Sequence, residues 1–199
     1  MKDALLILSG YVLGSMPWGY WLPRILTGVN IRAVGSGNTG AANVWRTLGF
    51  KIGLSVALLD IAKGVAAALL GLWLGSELVG LLAGIAALVG HWRPLFIGFA
   101  RGGKIVATTG GVALALAPFA TLAAASAWIA TFLATRYTSV ASLLSAATLP
   151  LFAVLFGASW LVVAFAAGAA VAIFALHRAN IARLLSRTEN RFELGRRTT

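Results

Sequence analysis

Long apolar runs separated by short basic loops constrain the fold of this chain more than any other feature of its sequence. Of the 199 residues, 60% are hydrophobic and only 11% are charged, and the mean hydropathy is +0.91. A soluble domain is closer to about half apolar and about a quarter charged. The composition is therefore typical of a polytopic membrane protein, in which any chemistry takes place in short loops or between helices.

The apolar runs predict an all-α fold with about seven transmembrane helices, several of them short. The runs lie at residues 4–21, 52–74, 78–90, 105–133 and 140–176. The last two exceed the length of about 20 residues that a helix needs to cross the hydrocarbon core. Because Pro118 lies in the middle of one and Gly157 near the centre of the other, we expect each to form two helices that meet near these residues.

The basic residues predict the orientation of these helices. With the N-terminus outside, all of the 16 Lys and Arg residues except Lys2 and Lys63 fall in inner loops or in the C-terminal segment. This distribution satisfies the positive-inside rule. We therefore expect the N-terminus outside, a cytoplasmic C-terminus, and one integral-membrane domain over residues 1–199. Its last part, 181–199, is expected to be a basic tail.

The charge and the missing residue types exclude several classes of function. A net charge of +11 would suggest nucleic acid in a soluble chain, but here it indicates basic loops that face anionic lipid headgroups. The sequence contains no Cys, which excludes a thiolate nucleophile and Cys-ligated metals. The few acidic residues form no cluster that could hold a catalytic metal. We therefore expect membrane lipids as partners, and neither nucleic acid, metal nor cofactor.

A first polar motif, residues 35–46, follows the first apolar run. It is rich in Gly, Ala and Asn and ends at Arg46. Small residues leave backbone N–H groups accessible, and an Arg beside them favours an anionic ligand such as phosphate. Gly35, Gly37 and Gly40 match the G-x-G-x-x-G pattern, but apolar helices flank them where the dinucleotide fingerprint requires a strand.

A second motif, residues 98–105, stands where an apolar helix begins. Gly98, Gly103 and Lys104 match most of the Walker A pattern, but Ile105 occupies the position of the magnesium-binding Ser or Thr, so a nucleotide-hydrolysing loop is excluded. The free N–H groups and positive dipole of a helix start still favour phosphate binding, with Thr108 one turn into the helix. The alternative is a Lys that extends to the membrane boundary.

A third motif begins directly after the last apolar run. His177 and Asn180 are three residues apart and are expected to share a helix face. Ser142, at the inner start of the sixth helix, is a weaker candidate, because Ser is also a common capping residue at helix starts. Inside the second run, Asp60 and Lys63 are expected to form a mutual ion pair that faces the bundle.

The three motifs together resemble a known family, the bacterial integral-membrane acyl-phosphate:glycerol-3-phosphate acyltransferases of the PlsY type. The similar stretches are residues 34–46, 90–108 and 177–189, and the resemblance also includes Asp60 and Lys63. Ile105 departs from the family, which has a Gly after the Lys of the second motif. Arg187 likewise stands where a Gly is usual.

The resemblance implies transfer of the acyl chain of a fatty acyl phosphate to the 1-hydroxyl of sn-glycerol 3-phosphate, giving lysophosphatidic acid and phosphate. It also implies seven helices and an active site that faces the cytoplasm, in the cell membrane of a bacterium. An acyl phosphate is already activated, so positioning and charge stabilisation can suffice for catalysis. We expect the enzyme to be a monomer.

The motif residues then receive roles. Phosphate groups are expected to contact Ser36, Asn38, Arg46, Lys104 and Thr108, with Gly37, Gly40, Asn43, Gly102 and Gly103 completing the substrate-binding set. His177 and Asn180 are expected to orient glycerol 3-phosphate, together with Ser142. Two candidates remain for the base that takes the hydroxyl proton: an oxygen of the donor phosphate and, as the runner-up, His177.

Two other classes of function compete with the enzyme. A transporter for a phosphorylated solute would also need inward basic loops, but it predicts polar residues on both faces of the membrane, and the outer turns near Glu77, Pro118 and Gly157 have almost none. A scaffold that binds anionic lipid would explain the basic tail, but it leaves the Gly- and Asn-rich first motif without a role.

Overall fold

The computed structural model describes residues 1–192, and over those residues the chain is helical and contains no strand. Two single-turn 3-10 helices lie at Ile31–Ala33 and Leu95–Ile97. The α-helices are α1 (Lys2–Gly14), α2 (Trp18–Thr27), α3 (Ala41–Leu48), α4 (Phe50–Leu74), α5 (Glu77–Trp92), α6 (Val106–Leu116), α7 (Pro118–Thr135), α8 (Thr138–Leu155), α9 (Trp160–Leu176) and α10 (Arg178–Leu185).

The two breaks that the sequence predicted are present. Pro118 is the first residue of α7, where its missing N–H costs nothing. Gly157 adopts a φ of +69° between α8 and α9. The prediction of one helix over residues 4–21 is wrong, because α1 ends at Gly14 and α2 begins at Trp18. Pro17 separates them with φ −90° and ψ 68°, and as a proline it cannot donate a hydrogen bond to continue α1.

Several of the helices are suited to a membrane. Among the described residues, four segments are long and apolar enough to cross one: Phe50–Leu74, Glu77–Ile97, Pro118–Thr135 and Thr138–Leu155. A fifth results if α9 and α10 are taken as one span with a bend of 59°. Helix α6 is apolar but shorter. The chain is therefore a multi-pass membrane protein.

The described part of the chain divides into two compact units, residues 1–116 and a second unit that begins at residue 117. In the first unit, α5 packs against α1 and α4, and α4 packs against α6. Glycines allow these helices to approach closely: a methyl group on Gly10 would overlap the Ala83 carbonyl, and one on Gly64 would overlap the Thr108 carbonyl. Small residues at helix contacts are typical of membrane proteins, because close packing replaces the hydrophobic effect as the attractive force.

In the second unit, α8 packs against α7 and α9. The Ser145 hydroxyl donates to the Ala124 carbonyl at 3.0 Å across the α7–α8 contact. The segment after α10 returns to the turn between α7 and α8, where the Phe192 amide donates to the Arg136 carbonyl at 2.9 Å. The first residues of the predicted basic tail thus belong to α10, while its last two arginines, Arg196 and Arg197, lie outside the described part of the chain.

Candidate active site

Asn43, in the first turn of α3, organises the loop of the first motif. Its side-chain nitrogen donates to the carbonyls of Ile31, Val34 and Asn38 at 3.4, 3.2 and 3.0 Å. Its side-chain oxygen accepts from the Ser36 amide at 2.9 Å. Asn43 is only 2% exposed. Sequence reasoning placed this residue in the substrate-binding set, whereas its contacts show that it holds the loop and presents Ser36, which is exposed.

Asn38 joins the first motif to the second. Its side-chain oxygen accepts from the Gly40 amide at 2.8 Å, and its side-chain nitrogen donates to the Gly102 carbonyl at 3.2 Å. Asn38 and Gly102 are 64 residues apart in the sequence, and no sequence pattern indicates which atoms of two such loops meet. The structure therefore brings parts of the first two motifs together.

The shape of the first loop depends on glycine. Gly35 and Gly37 have φ values of +59° and +67°, in the left-handed region that favours a residue without a side chain. A methyl group on Gly35 would also overlap the side-chain oxygen of Asn43. The conformation of these residues thus explains why this stretch of the sequence is rich in glycine.

The loop of the second motif folds back onto the end of α5. The Gly102 amide donates to the Trp92 carbonyl at 2.9 Å, and the Gly103 amide donates to the His91 carbonyl at 3.2 Å. Lys104 follows and is half-buried, as is Arg46 in α3. The two cationic residues expected to bind phosphate therefore keep part of their side chains accessible.

Ile105 has a φ of +59°, although it is β-branched and only 4% exposed. The left-handed region costs such a residue about 1–2 kcal/mol, and Gly, which the resemblance expects here, adopts it without that cost. The Ile105 carbonyl accepts from the Thr109 amide at 2.7 Å and so starts α6. The loop therefore keeps a glycine-like backbone at this position despite the different side chain.

Thr108 lies deeper than expected for a residue that binds substrate. It is 0% exposed, and its backbone carbonyl lies against Gly64 in the contact between α4 and α6. Its hydroxyl has no hydrogen-bond partner among the described residues. This position indicates a packing role between the two helices.

In the second unit, Glu189 binds the polar residues of the third motif. One oxygen of its carboxylate accepts from the Asn180 side chain at 2.6 Å, and the other accepts from Arg183 Nε at 2.7 Å. Burial raises the pKa of Glu189, but hydrogen bonds from Asn180, Arg183 and Ser139 lower it by more, so the pKa lies below its usual value of 4.5. Glu189 is therefore an ionised, buried acceptor.

Glu189 belongs to the stretch that carries the resemblance, but it was not among the predicted site residues. One signal was available: it is one of only five acidic residues in the chain, and it stands among arginines in a segment expected to be a basic tail.

His177 occupies the bend between α9 and α10 and is 4% exposed. Its Nδ1 lies 2.8 Å from the Ile173 carbonyl, so Nδ1 carries the proton and Nε2 is the nitrogen with a lone pair in the neutral ring. Asn180 is also buried, one turn further on in α10. Ser142 accepts a hydrogen bond from Trp128 Nε1 at 3.2 Å, which gives its hydroxyl a structural partner.

The contact between the first two motifs can be tested through Asn38. We expect Asn38→Asp to raise the KM for a phosphate-bearing substrate about tenfold, because it keeps the acceptor for the Gly40 amide but places an oxygen against the Gly102 carbonyl. Asn30→Ala is the matched control, since the Asn30 side chain accepts from the Arg32 amide at the start of the 3-10 helix that precedes this loop. Equal KM values for the two variants would show that the contact has no functional role.

Comparison with known proteins places the whole chain in one family. The sequence model of the family Glycerol-3-phosphate acyltransferase matches residues 4–187. A glycerol-3-phosphate acyltransferase from Desulforudis audaxviator is 47% identical over 188 residues, covering 94% of each chain. One from Synechococcus sp. (strain JA-3-3Ab) is 44% identical over 191 residues, covering 96% of this chain and 94% of the relative.

Solved structures agree with the sequence relatives. The structure of PlsY (YgiH), an integral membrane glycerol 3-phosphate acyltransferase, in its glycerol 3-phosphate form has a TM-score of 0.92 and 38% identity, and the match covers 97% of this chain and 96% of PlsY. Its lysophosphatidic acid form has a TM-score of 0.89 and 37% identity, with the same coverage. The chain belongs to the glycerol-3-phosphate acyltransferase family and is an integral-membrane enzyme of the PlsY type.

Proposed function

We propose that this enzyme transfers the acyl chain of a fatty acyl phosphate to the 1-hydroxyl of sn-glycerol 3-phosphate and releases lysophosphatidic acid and phosphate. The observation that carries the proposal is the hydrogen bond from Asn38 to the Gly102 carbonyl, because it joins two loops whose composition is typical of phosphate binding. Both substrates carry a phosphate group. The forms in which PlsY was solved support glycerol 3-phosphate as acceptor and lysophosphatidic acid as product.

The choice of donor follows from the chemistry that the sequence offers. With no Cys and no His-x4-Asp pair, the chain has neither a thiolate to form an acyl-enzyme nor that acid–base pair. In an acyl phosphate the leaving group is phosphate. The hydroxyl oxygen attacks the acyl carbon, the bond from that carbon to the phosphate oxygen breaks, and the phosphate departs, so no covalent enzyme intermediate is needed.

In the first unit we assign Arg46 and Lys104 to neutralise phosphate charge. Ser36 and the backbone of Gly37, Gly102 and Gly103 supply donors, while Asn38, Gly40 and Asn43 set the shape of the loops. The burial of Thr108 supports a packing role for it.

In the second unit we assign His177 and Asn180 to orient glycerol 3-phosphate. Ser142 keeps the same role as a prediction from the sequence. The hydroxyl proton passes to an oxygen of the donor phosphate, and His177 Nε2 is the runner-up base. In His177→Gln, a higher KM with an unchanged kcat would support orientation, whereas loss of kcat at saturating substrate would favour the base role.

We further propose that both units act as one monomeric domain with seven membrane helices, placed in the bacterial cell membrane with the motifs on the cytoplasmic side. The positive-inside rule supports this orientation, and the family match from residue 4 to residue 187 spans both units.

The absence of Cys makes the topology directly testable. We expect a single Cys placed at Ser76 or Ala158 to react with a membrane-impermeant maleimide on intact cells, because these turns would face outward. A Cys at the exposed Arg101 should react only after the membrane is permeabilised. If Arg101→Cys is labelled on intact cells, the proposed orientation is wrong and the second motif faces outward.

The reaction itself is tested with purified protein in lipid. We expect lysophosphatidic acid from glycerol 3-phosphate and a long-chain acyl phosphate, and none when acyl-CoA replaces the acyl phosphate. Product from acyl-CoA alone would overturn the proposed donor. No product from either donor in a folded sample would favour the alternative, transport of a phosphorylated solute, which uptake into proteoliposomes would then measure.

A further inference from the structure

Three buried polar side chains of the first unit form a network that the proposed reaction does not use. Asp60 Oδ1 lies 2.8 Å from Lys63 Nζ and 3.4 Å from His91 Nδ1. The residues are 2%, 5% and 7% exposed. The predicted pair of Asp60 and Lys63 is thus confirmed, and it includes a His from a second helix. Charges inside a membrane helix are costly, and those that are kept there commonly have a role beyond packing.

One end of the network holds the break between α1 and α2. Lys63 Nζ donates to the Met16 carbonyl at 2.9 Å, and the same carbonyl accepts from the Trp18 amide at 3.1 Å across Pro17. The network therefore ties α4 to the point where the chain turns toward the first motif.

The other end supports the second motif. Gly103 packs so closely on His91 that a methyl group on Gly103 would overlap the imidazole ring. The Gly103 amide also donates to the His91 carbonyl at 3.2 Å. The Asp60 carboxylate lies on the Nδ1 side of this ring, at 3.4 Å, and Lys104 directly follows Gly103 along the chain.

We propose that Asp60, Lys63 and His91 form a positioning device for the loop of residues 102–104. His91 is the positioning residue: the ring sets the place of the Gly103 backbone, and Asp60 sets the angle of the ring. The role of the device in catalysis rests on the proposed function, in which this loop binds a phosphate group of a substrate. The support of the loop by the ring rests on geometry alone.

Two His91 variants separate the two parts of this contact. His91→Phe keeps a ring beneath Gly103 but removes the nitrogen that faces Asp60, whereas His91→Asn keeps a polar amide near the Nδ1 position but removes the ring. We expect each to raise the KM for the substrate held by the loop at least about tenfold, since a misplacement of about 1 Å can cost about a hundredfold.

The control is Val79→Ala, at the opposite end of α5. Val79 is buried, so its truncation lowers the melting temperature without reaching the loop, and we expect an unchanged KM. His91 variants that lose thermal stability but keep the wild-type KM for both substrates would overturn the proposal, because His91 would then be a packing residue only.

A second variant avoids a buried unpaired charge. Asp60→Leu combined with Lys63→Met removes both charges together, which proteins often tolerate, whereas Asp60→Leu alone would leave Lys63 without its partner. We expect the double variant to fold and to show the same rise in KM as His91→Phe, because nothing then orients the ring. A wild-type KM in a folded double variant contradicts the proposal.

Hydrogen exchange distinguishes failure of this inference from failure of the proposed function. If the wild-type protein transfers no acyl group, the proposed function fails, but the loop can still be measured. Faster exchange of the amides of residues 102–104 in the His91 variants, with no change in the Val79 control, supports the positioning role. Unchanged exchange of the amides of residues 102–104 overturns the positioning role, and this conclusion does not depend on whether the protein has acyltransferase activity.

Discussion

Lys104→Ala is expected to lower kcat/KM about 10²–10³-fold, the usual cost of removing one preorganised group that stabilises charge in a transition state. Lys104 follows Gly103 in the loop that rests on the end of α5, and its side chain is half-buried. Without the ammonium group, the negative charge of the substrate phosphate is less well neutralised, while the backbone of the loop stays in place. Steady-state kinetics with both substrates varied measures the loss.

Two further variants make this result specific. Lys104→Arg keeps the positive charge and should recover part of the activity, although the planar guanidinium differs in shape from an ammonium group. Lys51→Ala removes a positive charge from an exposed position near the start of α4 and should leave kcat/KM within about twofold, because exposed charges are screened by salt. Activity of Lys104→Ala within tenfold of wild type would remove this residue from the phosphate site.

Glu189→Gln is the second substitution for which we expect a large effect. Asn180 Nδ2 and Arg183 Nε both donate to the carboxylate at short distance, and an amide in its place turns one of its two acceptor atoms into a donor. A buried polar group left without a partner costs about 1–3 kcal/mol. We therefore expect a lower melting temperature and, since Asn180 loses its orientation, a fall in activity of about a hundredfold.

The pH dependence of stability tests the same contact. The pKa of Glu189 is lower in the folded chain than its usual value of 4.5, so its contribution to stability is present above that value and is lost as the pH falls through the folded pKa. The gap in melting temperature between wild type and Glu189→Gln should be constant near neutral pH and should shrink below about pH 4.5. Asp3→Asn, a similar change at an exposed position, should show no such gap.

The helices were predictable because their causes are local. An apolar run of sufficient length in a chain with so few charges has no stable alternative in lipid, and the run around Pro118 is too long for one span, so this proline was the expected place for it to divide. The split of the first run at Pro17 was missed, since that run has the length of a single span and a proline can also be tolerated within a membrane helix. The bend between α9 and α10 at His177 was also not predicted, because no residue type at this point of the sequence requires a bend.

The sequence by itself determined the membrane class, the breaks at Pro118 and Gly157, the three polar motifs and the pairing of Asp60 with Lys63, because each follows from composition or from spacing within one helix. Only the tertiary structure decided which motif residues hold loops and which stay accessible. The partners of Asn43, the contact of Asn38 with Gly102, the bond between Glu189 and Asn180 and the place of His91 beneath Gly103 are contacts between separate segments. Their geometry depends on how the helices pack, and it cannot be predicted from the spacing of these residues along the chain.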